Sequence, residues 1–344
     1  MKRKLATIRK ISNIRPITGA DSIELATVDG WSVVVAKNAN HKVGDLVVYC
    51  EVDSFLPIQP EFEFLRKSSF KKMRNLEGFR LKTLKLRGEL SQGLLIKLED
   101  VRSIIERKSL VNVTFFEGDD ITELLGIIKY EQPLPAQLEG KVKGFFPSFL
   151  QKTDEERIQN LVEEYEKFKF GDFKFYATEK LDGSSATFYL SKGIFGVCSR
   201  NLELLETEEN SFWKVARQMD IENKLLKTKL NVAIQGELIG EGIQGNPYNI
   251  SGQTVRIFNV FLIDEQRKMN LNEFKKFLQE IELDSVPIID NFKLPDTIED
   301  LLKLSEGKSS LNSNVEREGY VVRSLDMKIS FKCISNKFLL GEKD

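Results

Sequence analysis

Histidine and cysteine are nearly missing from this sequence. His41 is the one histidine among 344 residues. That removes any histidine-rich metal site and leaves a Ser-His-Asp triad only if His41 serves it. Cys50, Cys198 and Cys333 lie far apart. They provide neither a disulfide framework nor a CxxC metal knuckle, and a reducing, intracellular setting is expected. No run approaches about eighteen uninterrupted apolar residues, so no membrane span is expected. The basic start, Met1 to Leu5, has no apolar segment behind it, so no secretory signal is read there. Net charge is small too, −1 from 51 Lys and Arg against 52 Asp and Glu. Hydrophobic residues make up 41% and charged residues 30%, a balance that excludes disorder as the main state. The length predicts about two domains. With thiols and imidazoles scarce, any chemistry must come from lysine, arginine and carboxylates.

The charge is unevenly placed. Between Arg66 and Arg87 stand nine basic residues (Arg66, Lys67, Lys71, Lys72, Arg74, Arg80, Lys82, Lys85 and Arg87) and one acid, Glu77. Such a cluster attracts a polyanion. It equally fits a solvated loop beside an edge strand blunted by lysines.

Residues 1–130 read as all-β. Ile23–Val28 and Trp31–Ala36 are strand-like runs around Asp29-Gly30, a pair suited to a type I′ hairpin. Leu46–Val52, Phe79–Arg87 and Leu94–Leu98 continue the pattern, and some five short strands suggest an OB-like β-barrel. From 131 the texture changes. Pro133, Pro135, Gly140, Gly144 and Pro147 mark a linker. Thr153 to Glu156 has the form of a capping box, and Ile158, Leu161, Val162 and Tyr165 recur at helical spacing, which predicts a helix over 154–167. Strands are then predicted at Phe173–Thr178, Ala186–Leu190, Phe195–Ser199, Val232–Leu238, Arg256–Asp264, Gly319–Arg323 and Lys328–Ile334. Helices are predicted near 208–220, 271–282 and 297–306. The expected class is α+β, with residues 131–344 forming a second domain of antiparallel sheets and helices.

The sharpest local signal is Glu179-Lys180-Leu181-Asp182-Gly183-Ser184. A lysine fixed at a strand end can act as a nucleophile if its amine is deprotonated, which needs a pKa lowered by burial or nearby cations. Taken alone, K-x-D-G also fits a solvated lysine at a turn. Behind it, in order, come Gln235-Gly236-Glu237, the aromatic run around Phe258 and Phe261, Glu318-Gly319-Tyr320-Val321, and Ser330-Phe331-Lys332.

This ordered set, over about residues 145–344, resembles the covalent nucleotidyltransferases: motif I (K-x-D-G), motif III (G-E), an aromatic strand, motif IV (E-G-x-V) and a motif V lysine. Within that superfamily the chain looks like an ATP-dependent RNA ligase. Gly236 to Gln244 and Phe331 to Phe338 resemble the phage RNA ligase 2 type, as does Ser199-Arg200-Asn201. The N-terminal β-domain and the run Phe146 to Arg157 resemble a smaller group with an OB module in front of the catalytic domain. Only twelve residues follow Lys332, so the C-terminal OB domain of DNA ligases and capping enzymes is expected to be missing. The alternatives are a DNA ligase or guanylyltransferase, and a non-catalytic RNA-binding protein built on a decayed transferase domain.

The resemblance implies a lysyl-AMP intermediate on Lys180, an RNA-adenylate, and joining of 3′-OH and 5′-phosphate RNA ends, as in RNA repair. It implies that Lys332 contacts the α-phosphate and lowers the Lys180 pKa. Asp182, Glu237 and Glu318 are expected to hold Mg²⁺ or Mn²⁺, partly through water, and Glu237 also to touch the ribose. Glu179 matches a residue that reads the adenine edge, and Phe258 the aromatic that stacks on the base. Phe261 is expected in the core. Arg200 matches a contact to the AMP phosphate or RNA termini. Lys152, Arg157 and Asn160 are candidate RNA contacts. One departure concerns motif V, where Ile334 stands at the place of a second lysine; Lys328 is the candidate substitute. A monomer with RNA as partner is expected.

Overall fold

The computed structural model describes residues 3–73, 75–107, 114–131 and 141–341. The chain divides into two compact units, Met1–Leu134 and Pro135–Asp344. Arg74, Pro133, Pro135 and Gly140 lie outside the described residues.

In the first unit, Asp29 (φ 48°) and Gly30 (φ 77°) both take left-handed backbone, as a type I′ turn demands. They join antiparallel strands Ile23–Val28 and Trp31–Ala36, and Asn13–Pro16 completes that sheet. A second sheet runs in the order Ala6–Lys10, Leu46–Cys50, Leu94–Lys97. Its central strand is apolar on both faces. Val48 and Cys50 enter one core with Ile8, Leu56, Phe62 and Phe79. Val47 and Tyr49 enter another with Trp31, Val33 and Leu95.

Two expectations for this unit need correction. It is not all-β: helix Leu98–Arg107 buries Val101 and Ile104, three residues apart on one face, against the larger core. And Phe79–Arg87 is not one strand. Leu76–Arg80 belongs to a four-stranded sheet, while Thr83–Leu86 pairs with Glu89–Gln92 in a separate hairpin. The run breaks because Leu81 turns inward, 5% exposed, and donates its amide to Ser54.

The second unit is built on two antiparallel sheets. The larger has seven strands in the order Val142–Phe145, Leu202–Leu204, Ile194–Cys198, Ser184–Ser191, Val232–Gly240, Gln253–Leu262, Arg267–Lys268. The smaller has four: Ile288–Phe292, Phe175–Lys180, Gly319–Ser324, Ser330–Ile334. Helices Ser211–Gln218, Ile221–Thr228 and Leu271–Glu280 cover the outer face of the larger sheet through Val215, Leu225 and Phe274. Leu301 of helix Ile298–Ser305 packs with Ala177, Val322 and Phe331 on the outer face of the smaller one. Gly144, expected in a linker, sits in the edge strand Val142–Phe145.

The predicted helix 154–167 begins too early. The helix spans Val162–Phe170, after a short 3-10 turn at Ile158–Asn160. Thr153 caps nothing; its hydroxyl is 3.0 Å from that of Ser185. Residues 152–157 instead run beside strand Ser330–Ile334. The Lys332 amide donates to the Glu156 carbonyl at 2.8 Å, and Arg157 forms a parallel bridge with Lys332. Burial of Glu155 decides the matter, because its carboxylate accepts from Arg323 at 3.0 Å and Ser330 at 2.7 Å. Tertiary pairing outweighs a local cap, which contributes only about 1 kcal/mol.

Gly319, across the ladder from Lys180, has φ +148°, and an added Cβ would lie 2.0 Å from the Cys333 carbonyl oxygen. Gly319→Ala is therefore expected to destabilise the second unit by about 2 kcal/mol or more, read as a lower urea midpoint.

Candidate active site

The site follows from the registers of the two sheets. In a strand, side chains two apart share a face. Lys180 lies opposite Gly319, which lies opposite Ile334; one row along, Thr178, Val321 and Lys332 are aligned. Lys180 and Lys332 therefore share the inner face of the small sheet. Glu179, Tyr320 and Cys333 share the outer one.

On the larger sheet, Ser185 pairs with Glu237 and Thr187 with Gln235. Glu237 and Gln235 thus look toward the lysines, while Ile234 and Leu238 enter the helix-covered core. A bulge at Gln235/Gly236 shifts the register against the next strand. Phe258, half-buried, packs there with Leu181, Ile239, Tyr248 and Val286. Phe261 is buried in the core.

The Lys180 ammonium donates to Glu318 at 2.6 Å, with both side chains largely covered (28% and 15% exposed). Burial alone would lower the amine's pKa, but Glu318, Glu237 and Asp182 raise it above its ordinary value. This corrects the expectation of a lowered pKa: among the protein's own groups, the carboxylates win and the amine stays protonated. Lys332 behaves oppositely. Burial, then the positive charges of Lys180, Arg157 and Arg200, push it down to about 8. Glu237 is pushed up to about 8, first by burial and then by Glu318 and Asp182, against the pull of Lys180.

The remaining candidates are placed as follows. Glu179 is buried, and its carboxylate accepts from the Ser309 hydroxyl and, at 2.9 Å, from the Ser310 amide. It anchors the loop before Glu318. Arg200, mostly exposed, donates through Nε and Nη2 to Asp154 at 3.0 and 2.6 Å. Lys152 reaches Asn201 at 3.1 Å. Asn160 donates to Glu156. Ile334 is buried beside the site. Lys328 cannot replace a second lysine on that face: it lies outside the strand, 78% exposed, and pairs with Asp326 at 3.3 Å. Lys337 pairs with Glu306 at 3.2 Å.

Sequence reasoning missed three groups. The Arg323–Glu155 pair is buried, with Lys268 3.9 Å from the carboxylate. An arginine in the middle of the apolar run Gly319–Ser324 was the available signal. Gln235 and Asn259 are hydrogen-bonded on the floor, and Gln235 also holds the Gln151 carbonyl at 2.7 Å. Tyr248 accepts the Asp182 amide at 2.6 Å.

The acids fit a divalent cation reached through water. Glu318 Oε2 is buried without a hydrogen-bond partner, and Glu237, raised first by burial, also faces the like charges of Glu318 and Asp182. Among the described residues no three His, Cys, Asp or Glu side chains cluster closely enough to ligate an ion directly. The arrangement can hold a polyphosphate against Lys332 and present the Lys180 amine to it.

A Glu237 pKa of about 8, against an ordinary 4.5, favours the folded state at low pH. That contribution is lost as pH rises from about 4.5 through 8. In chelator-treated protein the melting temperature should fall across this window, and Glu237→Gln should flatten part of the fall.

Comparisons with known proteins give the family. A family model described as an OB-fold domain matches residues 5–98, and one described as RNA ligase matches residues 173–336. Among solved structures, a glutamate-to-alanine mutant of Naegleria gruberi RNA ligase with AMP and Mn is 40% identical. The match covers 99% of each chain, with a TM-score of 0.81. A lysine-to-alanine mutant of the same ligase with ATP and Mn is 40% identical over 98% of this chain and 99% of that one, with a TM-score of 0.81. The same ligase with PPi is 41% identical over 98% of each chain, with a TM-score of 0.79. No curated protein sequence matches.

Proposed function

Because this chain belongs to the RNA ligase family, we propose that it is an ATP-dependent ligase that joins RNA 3′-hydroxyl and 5′-phosphate ends through AMP carried on Lys180. The observation that carries this reading is the Lys180 amine, fixed at a strand end among Glu318, Glu237 and Asp182, with Lys332 on the same sheet face. The structures of the Naegleria ligase with ATP, AMP and Mn support it.

Three transfers are required. The Lys180 ammonium first gives up a proton, for which Glu318, 2.6 Å away, is the hydrogen-bonded acceptor. The neutral amine then attacks the α-phosphorus of ATP; the N–P bond forms, the bond to the β-phosphate oxygen breaks, pyrophosphate leaves, and the second nitrogen proton passes to solvent. An RNA 5′-phosphate oxygen then attacks that phosphorus and displaces the lysine, giving an RNA-adenylate. A 3′-hydroxyl attacks the activated 5′-phosphate, and AMP leaves. Lys332 neutralises phosphate oxygens. Phe258 supplies an apolar ring for the base, where stacking contributes roughly 1–3 kcal/mol. Glu179, with both carboxylate oxygens engaged by Ser309 and Ser310, holds the loop that leads to Glu318. Asp182, Glu237 and Glu318 would hold Mn²⁺ or Mg²⁺, and the ion would supply positive charge that offsets these carboxylates. Arg200, Lys152 and Arg157 border the site and contact RNA.

The first unit supplies RNA grip. Lys67, Lys71, Lys82 and Arg87 are exposed there. Arg66, Lys72 and Arg80 are engaged by Glu63, Glu77 and Asp53 at 2.6, 2.8 and 3.0 Å.

Incubation with α-labelled ATP and Mn²⁺ should give a protein–AMP adduct on a denaturing gel, and Lys180→Ala should abolish it. Labelling by α-labelled GTP in place of ATP would mark capping chemistry, and no adduct with either nucleotide would mark a binding protein. Replacing Lys67, Lys71, Lys82 and Arg87 by Ser should slow nick sealing about tenfold, leave the adduct yield unchanged, and flatten the salt dependence of RNA binding.

A further inference from the structure

We infer that Tyr248 is a positioning residue for the first transfer: its hydroxyl fixes the turn that aims the Lys180 amine. This rests on the ligase reading and adds a residue to it. The Asp182 amide, two residues beyond Lys180, donates to Tyr248 Oη at 2.6 Å. The Tyr248 ring is 6% exposed and packs with Leu181, Ile239, Phe258 and Val286. The adjoining Gly183 carbonyl accepts from Gln244 Nε2 at 3.3 Å, on the same loop.

That loop is itself held stiffly. Gln244, Asn246 and Asn249 have φ of 47°, 51° and 53°, a left-handed region that asparagine enters readily and glutamine seldom. Asn246 closes the loop on itself through Ile250, at 2.9 and 3.1 Å. Asn312, on the loop that Glu179 anchors, donates to the Pro247 carbonyl at 2.9 Å. The nucleophile segment is therefore gripped at both sheet faces: Glu179 by Ser309 and Ser310, Asp182 and Gly183 by Tyr248 and Gln244. The loop connects the strand bearing Glu237 with the strand bearing Phe258, so Tyr248 links the amine to the acid and the base platform it must face. In-line attack needs reacting atoms within about 3–3.5 Å, and small misplacements cost large factors in rate.

The test compares full-length wild type, Tyr248→Phe and Gln244→Ala. Tyr248→Phe keeps the packed ring and removes the acceptor. The single-turnover rate of AMP adduct formation at saturating ATP should fall about tenfold. Half-saturating ATP should stay within twofold, because ATP binding does not use this bond. Sealing of pre-adenylylated RNA, which bypasses lysine attack, should also stay within twofold. Gln244→Ala should give the same split with a smaller loss. An unchanged first-step rate in Tyr248→Phe, or an equal loss in all three measurements in both variants, overturns the inference. Wild type that forms no adduct overturns the ligase reading instead.

Discussion

The pairing of Lys180 with Glu318 between two sheets is the interaction on which the rest depends. An amine at a strand end in water is a protonated, mobile group. Here it is covered and surrounded by three carboxylates, and its proton is held by them. Burial, then the neighbouring acids, pushes Glu237 up to about 8, and burial, then Lys180, pushes Lys332 down to about 8. Glu237 and Lys332 thus sit near a balance that an anionic nucleotide and a divalent cation would tip together. A bound nucleotide would stabilise the charged form of Lys332, and a cation held by Asp182, Glu237 and Glu318 would offset the carboxylates that keep the Lys180 amine protonated.

The architecture serves that balance. Glu237 arrives from the seven-stranded sheet, and Lys180, Glu318 and Lys332 from the four-stranded sheet and its approach. No single element can bring them together. The buried Arg323–Glu155 pair adds a tie between the small sheet and residues 152–157, and Glu156 and Arg157 then flank Lys332 along the backbone. Removing Glu155 would leave the Arg323 charge buried without its carboxylate, which costs about 3–5 kcal/mol. Gly319 leaves the space between Lys180 and Ile334 clear of a side chain.

Much of this was legible in the sequence, and the failures are instructive. Hairpin Ile23–Ala36 was readable because Asp29-Gly30 specifies its own turn. The strands carrying Lys180, Glu237 and Lys332 were readable because apolar runs and the ordered motifs coincide. The helix start at Thr153 was misread because a capping box is a local signal and the competing strand pairing with Lys332 is about 175 residues away in sequence. The direction of the Lys180 pKa was misread for the same reason. Three acids distant in sequence set it, and only the fold shows that they outnumber Lys332 around the amine. Tyr248 was invisible because its role is one bond to a backbone amide.

The central claim is tested most directly by finding the atom that carries the nucleotide. After incubation with ATP and Mn²⁺, the protein is digested under mildly alkaline conditions that preserve a phosphoramidate, and the adenylate is located by tandem mass spectrometry. The account predicts a single AMP on the peptide containing Lys180, at its side-chain nitrogen. AMP on Lys332 or on any other residue would contradict it.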